Sequence, residues 1–270
     1  MTDARYRAEL PLFSRLPATV DLGLLLQALA RIEAAAWKAH FNTGYYEGEW
    51  SGVTLLAPAN ERVELALGTG ETVERDAWCR DPRWAKALAY LDLDIRSARL
   101  LRLGPGSKIH PHRDYDLDGP EADRRLHIPL VSSDEVDFML QTHRVPMRAG
   151  ELWFLDLARP HSVDNWGTAA RVHLVLDCRP GDWLERQIQA GLDTTPAPGV
   201  GRAARDFATL RSLLHAQPHL CEPLQAITEA EAFVTQLVEL GRAQGLSFGA
   251  GDVRAAMREG RRSWSQQWTA

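Results

Sequence analysis

A mainly β fold with flanking helices is what the sequence predicts, and two observations carry it. Between Ile95 and Asp177, short β-prone runs alternate with turn residues: "RSARLLRL", "GPGSKIHPHRDYD", "RRLHIPLV", "VDFMLQTHRVPM", "RAGELWFLD" and "RVHLVLDC". Such spacing suits an antiparallel sandwich or barrel. On either side of this region apolar residues recur at helical spacing instead.

Taken in order, residues 19–40 place Leu22, Leu25, Leu26, Leu29 and Ile32 on one helical face and predict an amphipathic helix. "GYYEGEWSGVTLLAP" then reads as a turn and a strand, and residues 76–92 as a second helix. Two runs inside the β region match each other, "RLHIPL" (Arg125–Leu130) and "RVHLVL" (Arg171–Leu176). Each sets Arg and His two apart, on one strand face, as two strands serving one interior would. After Trp183, "LDTTPAPGVGRAARD" reads as a linker. Helices are expected over 204–216 and in "ITEAEAFVTQLVELGRAQG", where Thr228 and Glu231 have capping-box spacing and Gly241 or Gly245 ends the run. "GDVRAAMREGRRSWSQQW" can form one more. The expected domains are therefore 1–190, a β domain with N-terminal helices, and 200–270, a small helical appendage.

Composition narrows the function. The chain has 270 residues, 45% hydrophobic, with a net charge of −5. It carries no basic stripe, which argues against a nucleic-acid partner. No apolar run approaches the roughly 20 residues of a membrane span, and "MTDARYRAEL" is no signal peptide. Cys79, Cys178 and Cys221 are far apart and odd in number. That disfavours a disulfide framework or a thiolate zinc site and fits a reducing cytoplasm. The nine tryptophans are expected to pack the core, with a few left to line a pocket.

Chemistry concentrates in "HPHRDYD", from His110 to Asp116. His110 and His112 lie two apart, and so do His112 and Asp114, so either pair could converge on one ion from an extended strand. Further along, "LDLARPHSVDNWG" supplies His161, and Arg171 follows ten residues later at the start of an apolar strand. Two histidines and one carboxylate on one face of an octahedron suit a redox-active iron that must keep positions open. An arginine beyond them can clamp a carboxylate bidentately. Each element has a plainer reading: a surface His-x-Asp loop, a turn histidine after Pro160, an Arg171 paired with Asp156 or Asp164.

In this order, "RLLRLGPGSKIHPHRDYDL … RRLHIPLV … VDFML … MRAGELWFLDLARPHSVDNWGTAARVHLVLDC" resembles the bacterial aspartyl/asparaginyl β-hydroxylase superfamily, within it the L-proline cis-4-hydroxylase type. "HFNTGYYEGEWSGVTLL" shares the likeness, which covers roughly residues 37–185. The resemblance implies a double-stranded β-helix (cupin-like jelly roll), Fe(II), 2-oxoglutarate as cosubstrate, and O2. It implies an oxygenase that hydroxylates an amino acid, free or within a peptide. Carried over by position, His112, Asp114 and His161 are the implied iron ligands. Arg171 is the implied partner of the far 2-oxoglutarate carboxylate, with Arg125 and His127 approaching the same cosubstrate. Arg99, rather than Arg102 on the opposite face, is expected near the substrate, with His110 and Trp153 as further substrate-side candidates. Arg113 is expected to face away from the metal and Asp116 to lie beyond its reach.

Two other classes remain open: a non-catalytic cupin-like binding module, and a cupin enzyme using another metal without 2-oxoglutarate. The tail "EAEAFVTQLVELGRAQGLSFGAGDVRAAMREGRR" resembles the helical part of nitrogen-fixation-type leader peptides. That likeness implies a segment that docks a peptide or protein partner; the alternative is a helical cap packed on the barrel.

Overall fold

The computed structural model describes residues 10–60, 65, 70–194 and 197–266. Residues 1–9, 61–64, 66–69, 267–270 and two positions of the expected linker, 195–196, lie outside the described residues. The chain divides into two compact units, Met1–Gly199 and Val200–Ala270.

The first unit carries thirteen strands among its described residues: β1 (Phe13–Arg15), β2 (Lys38–Ala39), β3 (Tyr46–Glu47), β4 (Trp50–Pro58), β5 (Thr72–Glu74), β6 (Ile95–Leu103), β7 (Lys108–His112), β8 (Arg124–Val131), β9 (Val136–Leu140), β10 (His143–Arg144), β11 (Trp153–Leu155), β12 (His161–Asn165) and β13 (Arg171–Cys178). They pair antiparallel in two sheets. One has the order β1-β11-β8-β13-β6-β4-β2, with β5 beside β4; the other has the order β10-β9-β12-β7-β3. From β6 to β13 the chain crosses repeatedly between the sheets, so sequence neighbours face each other and sequence-distant strands pair. That winding is the double-stranded β-helix, with helices around it.

Alternation decides which residues face inward. Leu103, Phe138, Leu140, Trp153, Leu155 and Val163 pack between the sheets. Leu100, Leu126, Ile128, Leu152, Phe154, Leu174 and Leu176 pack on the outer face of the larger sheet. Helix α1 (Leu22–Leu29) lays Leu25 and Ala28 against that outer face, with Asp21 capping its start through a 3.0 Å bond from the Leu24 amide. Burial of this apolar surface, at roughly 25 cal/mol per Å2, is the main force holding helix to sheet.

The expected helix over 19–40 is shorter than its pattern. After Leu29 the chain makes only a single 3-10 turn, because Lys38 and Ala39 pair with Gly52 and Ser51 of β4. Tertiary pairing overrides helix propensity there. The expected helix over 76–92 is also divided, into α2 (Asp76–Cys79) and α3 (Arg83–Leu88). Pro82 lacks the amide that would join them, and the Asp81 carboxylate accepts from the Arg83 amide at 3.1 Å. Helix α4 (Asp182–Gln189) closes the unit.

The second unit contains α5 (Arg202–Ala216), α6 (Glu222–Gln225), α7 (Ala230–Ala243) and α8 (Ala250–Gln266). Leu210, Leu224, Val234, Leu237, Phe248 and Val253 form its own core. The expected capping box is not used. Glu229 is the N-cap of α7 without a side-chain bond, and Glu231 instead pairs with Arg254 of α8. Gly245, at φ +73, follows the helix end, while Gly241 sits inside α7 where Phe248 leaves no room for a side chain. No described helix is long and apolar enough to cross a membrane.

Candidate metal centre

His112 ends β7 and His161 begins β12, and the register sets these two residues opposite each other. Asp114 follows two residues after His112, its amide donating to the Leu157 carbonyl at 2.9 Å. One ligand atom from each of the three lies within 4.8 Å of the others. His112 Nε2 is 3.7 Å from Asp114 Oδ1, and His161 Nε2 is 4.0 Å from Asp114 Oδ2.

Both imidazoles are held by a backbone carbonyl. His112 Nδ1 donates to the His110 carbonyl at 2.7 Å, and His161 Nδ1 donates to the Arg159 carbonyl at 3.0 Å. A carbonyl can only accept, so each proton sits on Nδ1 and each Nε2 offers its lone pair. Burial lowers the His161 pKa to about 4, despite the opposing pull of Asp114, so that ring is neutral at physiological pH. Two imidazole nitrogens and one carboxylate form a donor set suited to a divalent metal.

The triad borders a cavity of about 440 Å3 between the two sheets. Leu101, Ile109, Phe138, Leu157, Val163 and Val175 supply apolar wall, and Arg99, Arg125, His127 and Arg171 supply the polar part. The segment 40–45 contributes His40, Phe41, Asn42 and Tyr45. His40 stacks on Trp50 with ring centroids 3.5 Å apart, and burial lowers its pKa to about 4.

The buried arginines differ sharply in company. Arg125 donates from Nε to Asp177 at 2.6 Å and from Nη1 to Asp114. Arg99 donates to Asp177 and, at 2.7 Å, to the Leu65 carbonyl. Asp177 is fully buried and also accepts from the Ser97 hydroxyl at 2.7 Å. Burial alone would raise its pKa, but Arg125, Arg99 and these hydrogen bonds hold it well below the usual carboxylate range. Arg171, only 2% exposed, has no carboxylate partner among the described residues. Burial pushes its pKa down with nothing opposing. Its Nη2 donates to His173 Nδ1 at 2.7 Å, and its Nε has no partner. An arginine stays charged in proteins, so this buried guanidinium carries a charge that no carboxylate among the described residues balances. Asp156 pairs with Arg159 and Asp164 with Lys108, so neither takes Arg171.

Three expected placements need correction. His110 does not share the cavity face with His112. A register shift sets the two-residue step His161–Val163 of β12 against the three-residue step His112–Ile109 of β7, and such a bulge reverses the parity beyond it. Ile109 and His112 both border the cavity, while the His110 side chain approaches Glu47 at 3.4 Å. Trp153 is fully buried in the inner core, donates to Glu151 at 2.9 Å and is not a cavity wall. Arg113 borders the cavity after all, because β7 ends at His112 and strand alternation stops with it. Arg99 faces inward and Arg102 outward, over the Trp37 ring at 4.5 Å. The sequence reading missed Asp177 and His173 as parts of the site, although both share strand parity with Arg171.

Known proteins resemble this chain in sequence. A protein described as L-proline cis-4-hydroxylase, from Rhizobium meliloti (strain 1021), is 34% identical over 166 residues, 58% of this chain and 57% of that protein. L-proline cis-3-hydroxylase 1, from Streptomyces sp, is 33% identical over 101 residues, 36% of this chain and 34% of that one. The chain thus spans little more than half the length of the first and about a third of the second. A solved oxidoreductase of the 2OG-Fe(II) oxygenase family, from Burkholderia pseudomallei, is a distant likeness: 19% identical, TM-score 0.41, covering 66% of this chain and 91% of that one. The profile of the Aspartyl/Asparaginyl beta-hydroxylase family matches residues 26–180. That is more than half of the chain, and it takes in every strand from β6 to β13: this protein belongs to the aspartyl/asparaginyl β-hydroxylase family.

Proposed function

We propose that this protein is an Fe(II)- and 2-oxoglutarate-dependent dioxygenase that hydroxylates an unactivated C–H bond of an amino acid, free or within a peptide. The observation that carries the reading is the meeting of two unlike features in one cavity: three candidate metal donors, and a buried guanidinium with no carboxylate partner among the described residues. His112, Asp114 and His161 would hold the iron. When bound, iron and 2-oxoglutarate supply the oxidising chemistry, with O2 divided between succinate and the hydroxylated product as CO2 leaves.

The residues of this chain bind, orient and exclude water. Arg171 pairs with the far carboxylate of the cosubstrate and gains the counter-charge that its burial lacks. His127 lies beside His173, the hydrogen-bond partner of Arg171, at 3.2 Å and so borders the cosubstrate end, whereas Arg125 is engaged by Asp114 and Asp177. Arg99 borders the same cavity and remains the substrate-side candidate. The apolar wall keeps water from the reacting carbon. The names of the relatives favour a proline-like substrate. Three unpaired cysteines fit a reducing compartment such as the cytoplasm. A peptide or protein partner for the C-terminal helices belongs to the same proposal.

The test is succinate release by the purified full chain with Fe(II), ascorbate and 2-oxoglutarate, across free amino acids and short peptides. Metal- and substrate-dependent succinate is expected, and Asp114→Ala abolishes it. Full activity in that variant would contradict Asp114 as a required ligand. A binding module would form no succinate, and a cupin enzyme of another type would ignore 2-oxoglutarate.

A further inference from the structure

Arg125 is where the structure and the family resemblance part. The resemblance directs this residue to the cosubstrate, but its guanidinium is already engaged by two acids. Nη1 holds Asp114 Oδ2, and Nε holds Asp177 Oδ1 at 2.6 Å. Asp177 is fixed in turn by Ser97 and Arg99, and Arg99 by the Leu65 carbonyl. The result is a continuous chain, buried from Ser97 and Arg99 through Asp177 and Arg125, that ends on the partly exposed Asp114. Burying so many charges costs desolvation that a packed apolar cluster of the same volume would avoid. The chain ends on the one carboxylate of the donor triad.

We propose that Asp177 is a positioning residue for the metal carboxylate: through Arg125 it ties down one oxygen of Asp114 and leaves the other for the metal. A carboxylate held in this way binds through a single oxygen, which keeps coordination positions open for cosubstrate and oxygen. The inference rests on the metal centre proposed above. It differs from a cosubstrate role for Arg125 in a measurable way, because it ties Arg125 and Asp177 to metal affinity rather than to 2-oxoglutarate affinity.

The probe is Mn(II), a redox-stable ion that accepts the same nitrogen and oxygen ligands. Its binding to the full chain is followed by electron paramagnetic resonance, and 2-oxoglutarate affinity is then measured at saturating Mn(II). Asp177→Asn is expected to raise the Mn(II) dissociation constant about 10- to 100-fold, as the loss of a ligand-orienting partner does. The 2-oxoglutarate affinity at saturating metal stays at the wild-type value. Arg125→Lys, which keeps the charge but lacks the rigid guanidinium fork that reaches both acids at once, moves the same way, and Ser97→Ala does so more weakly. Should Asp177→Asn fail to fold, Arg125→Lys and Ser97→Ala carry the test. Wild-type Mn(II) affinity in the folded variants would overturn the proposal, as would loss of 2-oxoglutarate affinity with metal affinity intact. A wild-type chain that binds no Mn(II) would instead overturn the metal centre itself.

Discussion

β8 and β13 carry the same short motif, an arginine two residues before a histidine, and the fold puts both pairs inside the barrel on adjacent antiparallel strands. Their electrostatic situations are opposite. Burial pulls at both guanidiniums, but Asp177 and Asp114 outweigh it at Arg125 and hold its pKa above the ordinary value. At Arg171 nothing opposes burial. The same motif on one sheet therefore meets two surroundings: Arg125 is saturated by two acids of the protein, and Arg171 has no carboxylate partner among the described residues. The local sequence cannot make that distinction. What makes it is which acid the neighbouring strands bring alongside.

Removing each arginine in turn breaks the comparison most directly. Arg125→Met leaves Asp114 and Asp177 short of a counter-charge and is expected to cost about 3–5 kcal/mol of stability, as the loss of one partner of a buried ion pair does. Denaturant unfolding of the metal-free chain measures it. Arg171→Met strands no acid, so stability holds or rises. Its cost falls on 2-oxoglutarate binding, which weakens by about 1.5–3 kcal/mol, the value of hydrogen bonds to a charged group. Equal stability losses in the two variants would dissolve the distinction.

Acidification sharpens it more gently. His161 and His40 have folded-state pKa values of about 4, below the ordinary 6.5, because burial disfavours their charged forms. Unfolded, they take up protons near pH 6.5; folded, they do so only near pH 4. Their contribution to stability is thus complete above pH 6.5 and is lost as the pH falls from 6.5 towards 4. Asp177 stays ionised across that whole window, so the Asp177–Arg125 pair is no part of the loss. A melting temperature that stayed flat between pH 6.5 and 4 would contradict the neutral, buried state assigned to these rings.

How much of this was legible in the sequence depended on whether the signal was periodic. Strand alternation gave the β core, and the order of His112, Asp114, His161 and Arg171, read through the family resemblance, singled out four residues that the fold brings to one cavity. Periodicity failed where the chain breaks its own period. A β-bulge turned His110 away, and the end of β7 let Arg113 border the cavity. Pairing with β4 cut short the helix that begins at Leu22. Asp177 was readable by parity with Arg171 and His173, but an acid late in an apolar strand carries no local hint of its partners. The segment 40–45, which closes part of the cavity, has no regular pattern to read beyond its family likeness.

The central claim is that one cavity holds a metal at His112, Asp114 and His161 and a dicarboxylate against Arg171. Anaerobic titration of 2-oxoglutarate into the full chain, with and without Fe(II), tests it most directly. Tight binding that requires Fe(II) and is weakened in Arg171→Met is the predicted result. Binding that is indifferent to both the metal and Arg171, or no binding to the iron-loaded chain, would contradict it.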